Sequence, residues 1–410
     1  MQTGEAGSRG PVRLLLDPVF GPFWVGKLLA TGGVWIHNIV AAILAYELSG
    51  SAFVVGLVSV AQFAPQLVFA PLTGAAADKG RRTTQVVIGR LINVAGSGGL
   101  AIALIVAGPD GLKSANLVVF TALVVGIGFV IGGPAMNALI PSLVKQDELA
   151  AAVALNSMPF TLARATGPAI GALIAVTYSP AVAFVIAAAT NLLFAAILWL
   201  LPIHERTRDR ASQDSRMRAG WLYVRSQPTV QLLLIGVTAV GIGADPVLTL
   251  TPALSDSFGA GATLVGAFAS AFGVGAGAVF IVLGVLRRRY GLEKSGAIGL
   301  AALAAGTAVA GFAATPAQAL AGFSVAGAGM TVALTAYSTL IQQVLPEELR
   351  GRVMALWSMA FLGSRPLAAA VNGAVADATT VRTAQLLVAA TVVVFALYVR
   401  PTKLNRATTG

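Results

Sequence analysis

Residues 154–164 read ALNSMPFTLAR and residues 355–365 read ALWSMAFLGSR, a match at six of eleven positions. Just upstream, Asp147-Glu148-Leu149 answers Glu347-Glu348-Leu349 with a one-residue slip, and at another offset Gly56 and Gly74 fall over Gly266 and Gly284. Self-similarity at an offset near 200 residues marks a chain built twice. Both copies end on an arginine, Arg164 and Arg365, inside an apolar run. A charge at mid-helix costs about 2.5–3.5 kcal/mol on the membrane-insertion scale, so a matched pair points to a wet or protein-lined seam rather than to chance similarity.

The rest of the composition agrees. Of 410 residues, 57% are hydrophobic and 10% charged, against about 25% charged in soluble chains; such a chain cannot cover a soluble surface and belongs in a bilayer. Twelve spans of about 20 residues take about 240 positions and leave only short loops, with no room for an ATP-hydrolysing or extracellular binding domain. There is no cysteine, and the two histidines are His37 and His204, so no disulfide, thiolate chemistry, metal site or cofactor is expected.

Apolar runs fall at Phe23 to Leu48, 52–77, 84–107, 117–143, 151–176 and 181–201, and again at 229–254, 263–286, 295–314, 317–344, 353–376 and 384–399. With the N-terminus inside, the inner segments hold 21 Lys and Arg and the outer loops only Lys113 and Arg382. One missed span would invert every later loop, so this asymmetry supports twelve spans, both termini cytoplasmic, in the cell membrane. It also explains the net charge of +11 by topology, leaving no case for nucleic acid. Lys27, Arg90, Arg164 and Arg365 fall inside spans. Lys27 and Arg90, near inner ends, are expected to snorkel to the headgroups without a transport role.

An offset of six helices preserves orientation, so the halves are parallel repeats about an axis along the membrane normal. The expected organisation is a six-helix bundle over 1–201, a cytoplasmic linker over 202–227 and a second bundle over 228–410. Arg164 and Arg365 stand fourteen and about twelve residues above their helix starts, roughly 20 Å deep. Asp245, in GADPVLTLTP, and His37 fall at nearly the same height, so the four form a candidate polar layer for proton coupling. Pro246 and Pro252 each remove a backbone donor and are expected to break helix 7 beside Asp245. Competition between a proton and a cationic partner for Asp245 is a coupling mechanism, while a permanent ion pair or a solvated acid at the outer mouth are the plainer readings; for His37 the plainer reading is a packing residue. Asn38, Gln62, Gln66, Asn137, Asn156 and Tyr337 are candidates for the substrate path, or equally for cross-helix bonds.

GAAADKGRR at 74–82 sets a small residue and an acid before a basic cluster on the inner face. Asp78 can pair with these bases or with a neighbouring helix N-terminus, a latch that a gate would break; an incidental acid in a positive-inside loop is the plainer reading. GPFWVGKL at 21–28 nearly spells a phosphate loop, but Leu28 stands where Ser or Thr must hold magnesium. GIGFVIGG at 126–133 and GVGAG at 273–277 follow no strand and read as helix packing.

In this loop the chain resembles the major facilitator superfamily, with Gly74, Asp78, Lys79, Arg81 and Arg82 as counterparts of its gating signature, one residue short between Lys79 and Gly80. The second copy, at Arg287 to Gly291, keeps the bases and lacks the acid. ARATGPAIGA at 163–172 is similar to the superfamily's antiporter motif, in which Gly167, Pro168 and Gly171 would bend the helix and let the halves pack closely. With SGSAFVVGLV at 50–59 and PEELRGRVMALWSMAFLG at 346–363, the resemblance covers nearly the whole chain and points to the branch of macrolide-efflux and enterobactin-exporter-like proteins; helix 4 lacks the arginine many drug antiporters carry there. The resemblance implies an all-α fold of twelve transmembrane helices and a monomeric secondary exporter, usually proton-antiporting, whose partners are a small-molecule substrate, protons and membrane lipids. A lipid flippase on the same fold is the alternative. An integral-membrane transferase is a remoter one, since it needs clustered acids to hold magnesium.

Overall fold

The computed structural model describes residues 11–78, 81–108, 111–203, 214–402 and 404, and every regular element among them is helical. The first half comprises α1 (Phe20–Ser49), α2 (Ala52–Asp78), α3 (Arg82–Ala107), α4 (Asn116–Ala138), α5 (Leu149–Thr177) and α6 (Pro180–Leu200). The second comprises α7 (Pro228–Gly243), α8 (Thr263–Ala278), α9 (Phe280–Phe312), α10 (Pro316–Val344), α11 (Glu347–Ala378) and α12 (Val381–Tyr398), after a linker helix at Asp214–Ser226. Eleven helices among the described residues are long and apolar enough to cross a membrane. The twelfth crossing begins in α8 and runs on into α9, which is interrupted by a turn: Gly291 has φ 77°, a left-handed conformation that glycine adopts without the steric penalty of a side chain. The first part of α9 therefore completes the eighth span and the remainder forms the ninth.

The expected break in the seventh span is present. After Gly243 the chain continues as Pro246–Thr249 and Thr251–Ser257, each opening beside a proline that cannot donate to the preceding turn. Leu248, which would donate to the Ala244 carbonyl in an unbroken helix, donates to the Asp245 carbonyl instead at 2.9 Å.

The halves meet along two seams, α2 against α11 and α5 against α8. Seen from the side, one face of the bundle carries the linker and both terminal segments, here the terminal face, and the opposite one is the far face. On the first seam a Cβ at Gly56 would stand 2.5 Å from the Ala369 carbonyl oxygen, and one at Gly373 would stand 2.5 Å from that of Ala52. On the second, Gly266 lies against Ala172 and a Cβ at Gly273 would meet the Ala165 Cα at 2.5 Å. Gly56 and Gly266, which the weaker sequence repeat superimposes, thus occupy corresponding seam positions. Gly74 and Gly284 have open space beside them, so that part of the repeat has no packing counterpart.

The far face is tied shut across the seam. The Asp377 carboxylate at the end of α11 accepts from the Ala52 N–H at 2.8 Å, the Phe53 N–H at 3.1 Å and the Ser51 hydroxyl. It caps the N-terminus of α2, where an anion satisfies orphan donors and complements the helix dipole. Beside it the Tyr46 hydroxyl donates to Asp256 at 3.3 Å.

Candidate functional site

A cavity of about 480 Å³ lies between mid-depth and the terminal face, within the range of small-molecule sites. From α1 it takes Lys27, Thr31, Val34, Trp35 and Asn38; from α2 Gln62 and Phe63; from α3 Arg90. Phe129, Gly133, Met136 and Asn137 of α4 join Asn156, Ser157, Phe160 and Thr161 of α5, and α11 of the other half supplies Trp357, Leu362 and Arg365. Asn137, at the terminal-face end, is exposed to solvent.

Lys27 and Arg90 do not snorkel. They are 4% and 2% exposed and both line the cavity, because their faces of α1 and α3 turn inward rather than toward lipid. The Lys27 ammonium donates to the Asn156 carbonyl at 3.1 Å and to the Asn156 side chain, whose amide donates to Asn137 at 3.2 Å. Arg90 donates to Asn191 at 3.2 Å and lies over the Phe194 ring. Lys27, Thr31 and Asn38, spaced four and seven apart, share one face of the helix, but that spacing does not say whether the face meets lipid or protein.

The matched arginines converge as expected, both bordering a small pocket at the seam with Pro168 and Ala244. Arg164 contacts the Met330 sulfur and lies over the Phe272 ring, and Arg365 lies over the Phe63 ring at 4.9 Å. Arg365 also reaches the Ala244 carbonyl at 3.5 Å, the acceptor that the helix break frees. Asp245, 1% exposed, lies just past that break and lines neither pocket. Its carboxylate accepts from Thr249 at 3.1 Å and from Asn372 of α11 at 2.8 Å. Asn372 and Thr249 were not singled out in the sequence.

His37 does not join this layer. It is buried inside the first half, with Nδ1 bonded to the Ser97 hydroxyl at 3.1 Å and its ring edge-on to Phe184, because its side of α1 faces α3 and α6. Asn38, Gln62, Asn137 and Asn156 line the cavity, whereas Gln66, one turn beyond Gln62, does not. Tyr337 is also elsewhere. Its ring fills a slot between Gly236 of α7 and Gly296 of α9 in the core of the second half, and its hydroxyl has no partner. An unsatisfied buried hydroxyl costs about 1–3 kcal/mol, so Tyr337→Phe should leave transport unchanged and hold or raise the melting temperature of the purified protein. A loss of transport would put the hydroxyl back on the path.

Gly167 and Gly171 are packing residues, but against Trp35, Ile36 and Ile39 of α1 within one half. The inter-half contact on α5 comes from other residues of the same stretch: Arg164 against Met330 and Phe272, Ala165 against Gly273, and Pro168 and Ala172 against Gly266. Within the gating signature, Gly74 has no close neighbour, Lys79 lies outside the described residues, and Arg81 is exposed. The Asp78 backbone ends α2. Arg82 donates to the carbonyls of Ala77 at 3.1 Å and Ala138 at 3.3 Å, joining the ends of α2 and α4 as a basic group at helix C-termini does. The described ties that hold one face closed between halves are the acids Asp377 and Asp256, which a count of Lys and Arg alone passes over.

The profile of the transmembrane secretion effector family matches residues 9–409. No curated protein matches the sequence. Among solved structures, a mutant of the nucleoside transporter NupG superimposes with TM-score 0.74 at 15% identity, covering 92% of this chain and 97% of that one. A bacterial homologue of the human lysosomal transporter Spinster, inward-facing and unoccupied, gives 0.74 at 14% identity, covering 95% and 98%. A D-xylose-proton symporter gives 0.72 at 16%, covering 92% and 97%. A transporter family over nearly the whole chain leaves no place for the transferase alternative: this multi-pass membrane protein belongs to the transmembrane secretion effector family of the major facilitator superfamily, a family of secondary transporters rather than enzymes.

Proposed function

We propose that the protein exports a small amphiphilic compound from the cytoplasm by alternating access, in exchange for protons. The observation that carries this reading is a cavity lined by both halves that reaches the exposed Asn137 at the terminal face while the far face is tied at Asp377 and Asp256. The excess of Lys and Arg on the terminal side supports reading that side as cytoplasmic, and on that reading the cavity loads from inside. Amphiphilic cargo is supported by the lining, which sets Trp35, Phe63, Phe160 and Trp357 among amides and cations.

Proton coupling is assigned to Asp245. Its carboxylate bridges the broken seventh span and Asn372 of α11, next to a carbonyl held by Arg365. The seam helices must slide for the cavity to change sides; both partners of the carboxylate lie in the second half, and one of them, Thr249, meets the Ser59 hydroxyl of α2 at 3.5 Å across the seam, so a carboxyl that gains or loses a proton there alters a bond adjoining one that the sliding breaks. Substrate-dependent proton flux in proteoliposomes under an imposed pH gradient, across a panel of amphiphiles, is the expected result. Movement of labelled lipid with no proton flux would replace this reading with the flippase.

A further inference from the structure

We infer that the substrate is an anion: an amphiphile whose carboxylate, phosphate or sulfonate sits between Lys27, Arg90 and Arg365, with its apolar body against the aromatic wall. The inference deepens the transport reading and rests on it only in taking this cavity as the substrate site.

The cavity wall holds three cationic side chains and no carboxylate among the described residues. Each of the three is more than nine-tenths buried. Their hydrogen-bond partners are neutral: Asn156 for Lys27, Asn191 and the Met136 sulfur for Arg90, the Ala244 carbonyl for Arg365. The Nε atoms of Arg90 and Arg365 have no partner at all. Lys27 and Arg90 are close enough to repel each other. Buried charges are ordinarily paired, because amides and ring faces do not repay the loss of water.

Asp245 offsets only the Arg365 end of the imbalance. It is near enough to attract Arg365, but both its oxygens are engaged by Thr249 and Asn372, it does not line the cavity, and the Arg365 hydrogen bond goes to the neighbouring carbonyl. One carboxylate would in any case leave Lys27 and Arg90 unmatched. Snorkelling cannot discharge them either, since both are enclosed by protein. A cluster of this kind is completed when a negatively charged ligand enters, and it excludes cationic amphiphiles by like-charge repulsion, which is specificity through a repulsive element. The aromatic faces of Trp35 and Phe160, edge-on to each other at 6.1 Å, suit the apolar remainder.

The test uses the purified full chain in nanodiscs and three fluorescent probes of one shape: pyrenebutyrate, neutral pyrenebutanol and the cationic pyrenebutyl-trimethylammonium. Binding needs no transport, so it is read separately from function. Pyrenebutyrate should bind at least about tenfold tighter than the alcohol and the cation weakest. Lys27→Gln and Arg90→Gln should each lose about tenfold for the anion and nothing for the alcohol, and Lys27→Arg should retain the anion. Should the buried Arg90 variant melt early, the wild-type ranking of the three probes decides by itself. A cation bound as tightly as the anion, or a ranking indifferent to charge, overturns the proposal.

Replacing phosphatidylcholine with phosphatidylglycerol in the nanodisc separates the sources of the anion. Weakened pyrenebutyrate binding there identifies a lipid headgroup as the occupant, and unchanged binding a water-soluble anion. Charge-selective binding without transport of any compound would keep the anion site and end the transport reading; transport with charge-indifferent binding would do the reverse.

Discussion

Replacing Asp245 with asparagine is expected to abolish accumulation driven by a pH gradient while leaving substrate exchange between the two sides of the membrane intact. The substitution keeps the shape of a group that is 1% exposed. Asparagine retains one oxygen to accept from Thr249, and the Asn372 amide can turn to present its own oxygen to the new donor, so the bonds of 3.1 and 2.8 Å have substitutes and the seam still assembles. What the side chain loses is the ability to hold a proton. With one proton exchanged per substrate, each pH unit of gradient is worth about 1.4 kcal/mol and sustains about a tenfold accumulation ratio, so the ratio should fall by about tenfold per pH unit, to unity. Reading proton entry with an internal dye, and exchange with labelled substrate, separates the two activities in one vesicle preparation. Undiminished proton entry would remove Asp245 from the coupling step.

Gly373→Val should hold the far face open. The added Cβ would stand 2.5 Å from the Ala52 carbonyl oxygen and 2.7 Å from the Phe53 Cα. Both are backbone atoms of the turn that Asp377 caps, so neither can rotate away. Overpacking of this kind costs about 1–3 kcal/mol, and here the whole cost falls on one of two conformations, which converts it into a population shift of roughly 5–150-fold. Because the chain has no cysteine, Ile43→Cys makes a unique reporter. Ile43 is 2% exposed beside the Tyr46 and Asp256 tie at the far face. Labelling by a membrane-impermeant maleimide from that side should accelerate at least about tenfold in the Gly373→Val background. Asp377→Ala should act in the same direction and more weakly, since removing a cap costs about 1 kcal/mol. Equal labelling with and without the valine would mean the far face does not close by this contact.

Residues whose meaning lies along the chain were legible before any packing was known. The matched Arg164 and Arg365 indicated two parallel halves, and they meet at one seam pocket. Pro246 and Pro252 indicated a broken seventh span, since the missing donor is a property of the residue itself. Gly56 over Gly266 marked corresponding seam positions, although Gly74 over Gly284 marked none.

Which way a helix faces was another matter. Helices buried on nearly all sides, such as α1, carry too weak an apolar asymmetry to say whether Lys27 points to lipid or cavity, or whether His37 points to the seam or into its own bundle. Depth along the axis was therefore readable and azimuth was not: Tyr337 has a plausible depth for the path and the wrong side, held between Gly236 and Gly296. The sequence by itself determined the number, order and repeat of the helices and the place of the break, because hydropathy, proline and charge act on the nearest residues. Only the tertiary structure decided which polar groups share the cavity, that its charges are unbalanced, and that Asp377 joins the halves at the far face, because those depend on rotations of helices about their own axes and on neighbours hundreds of residues away.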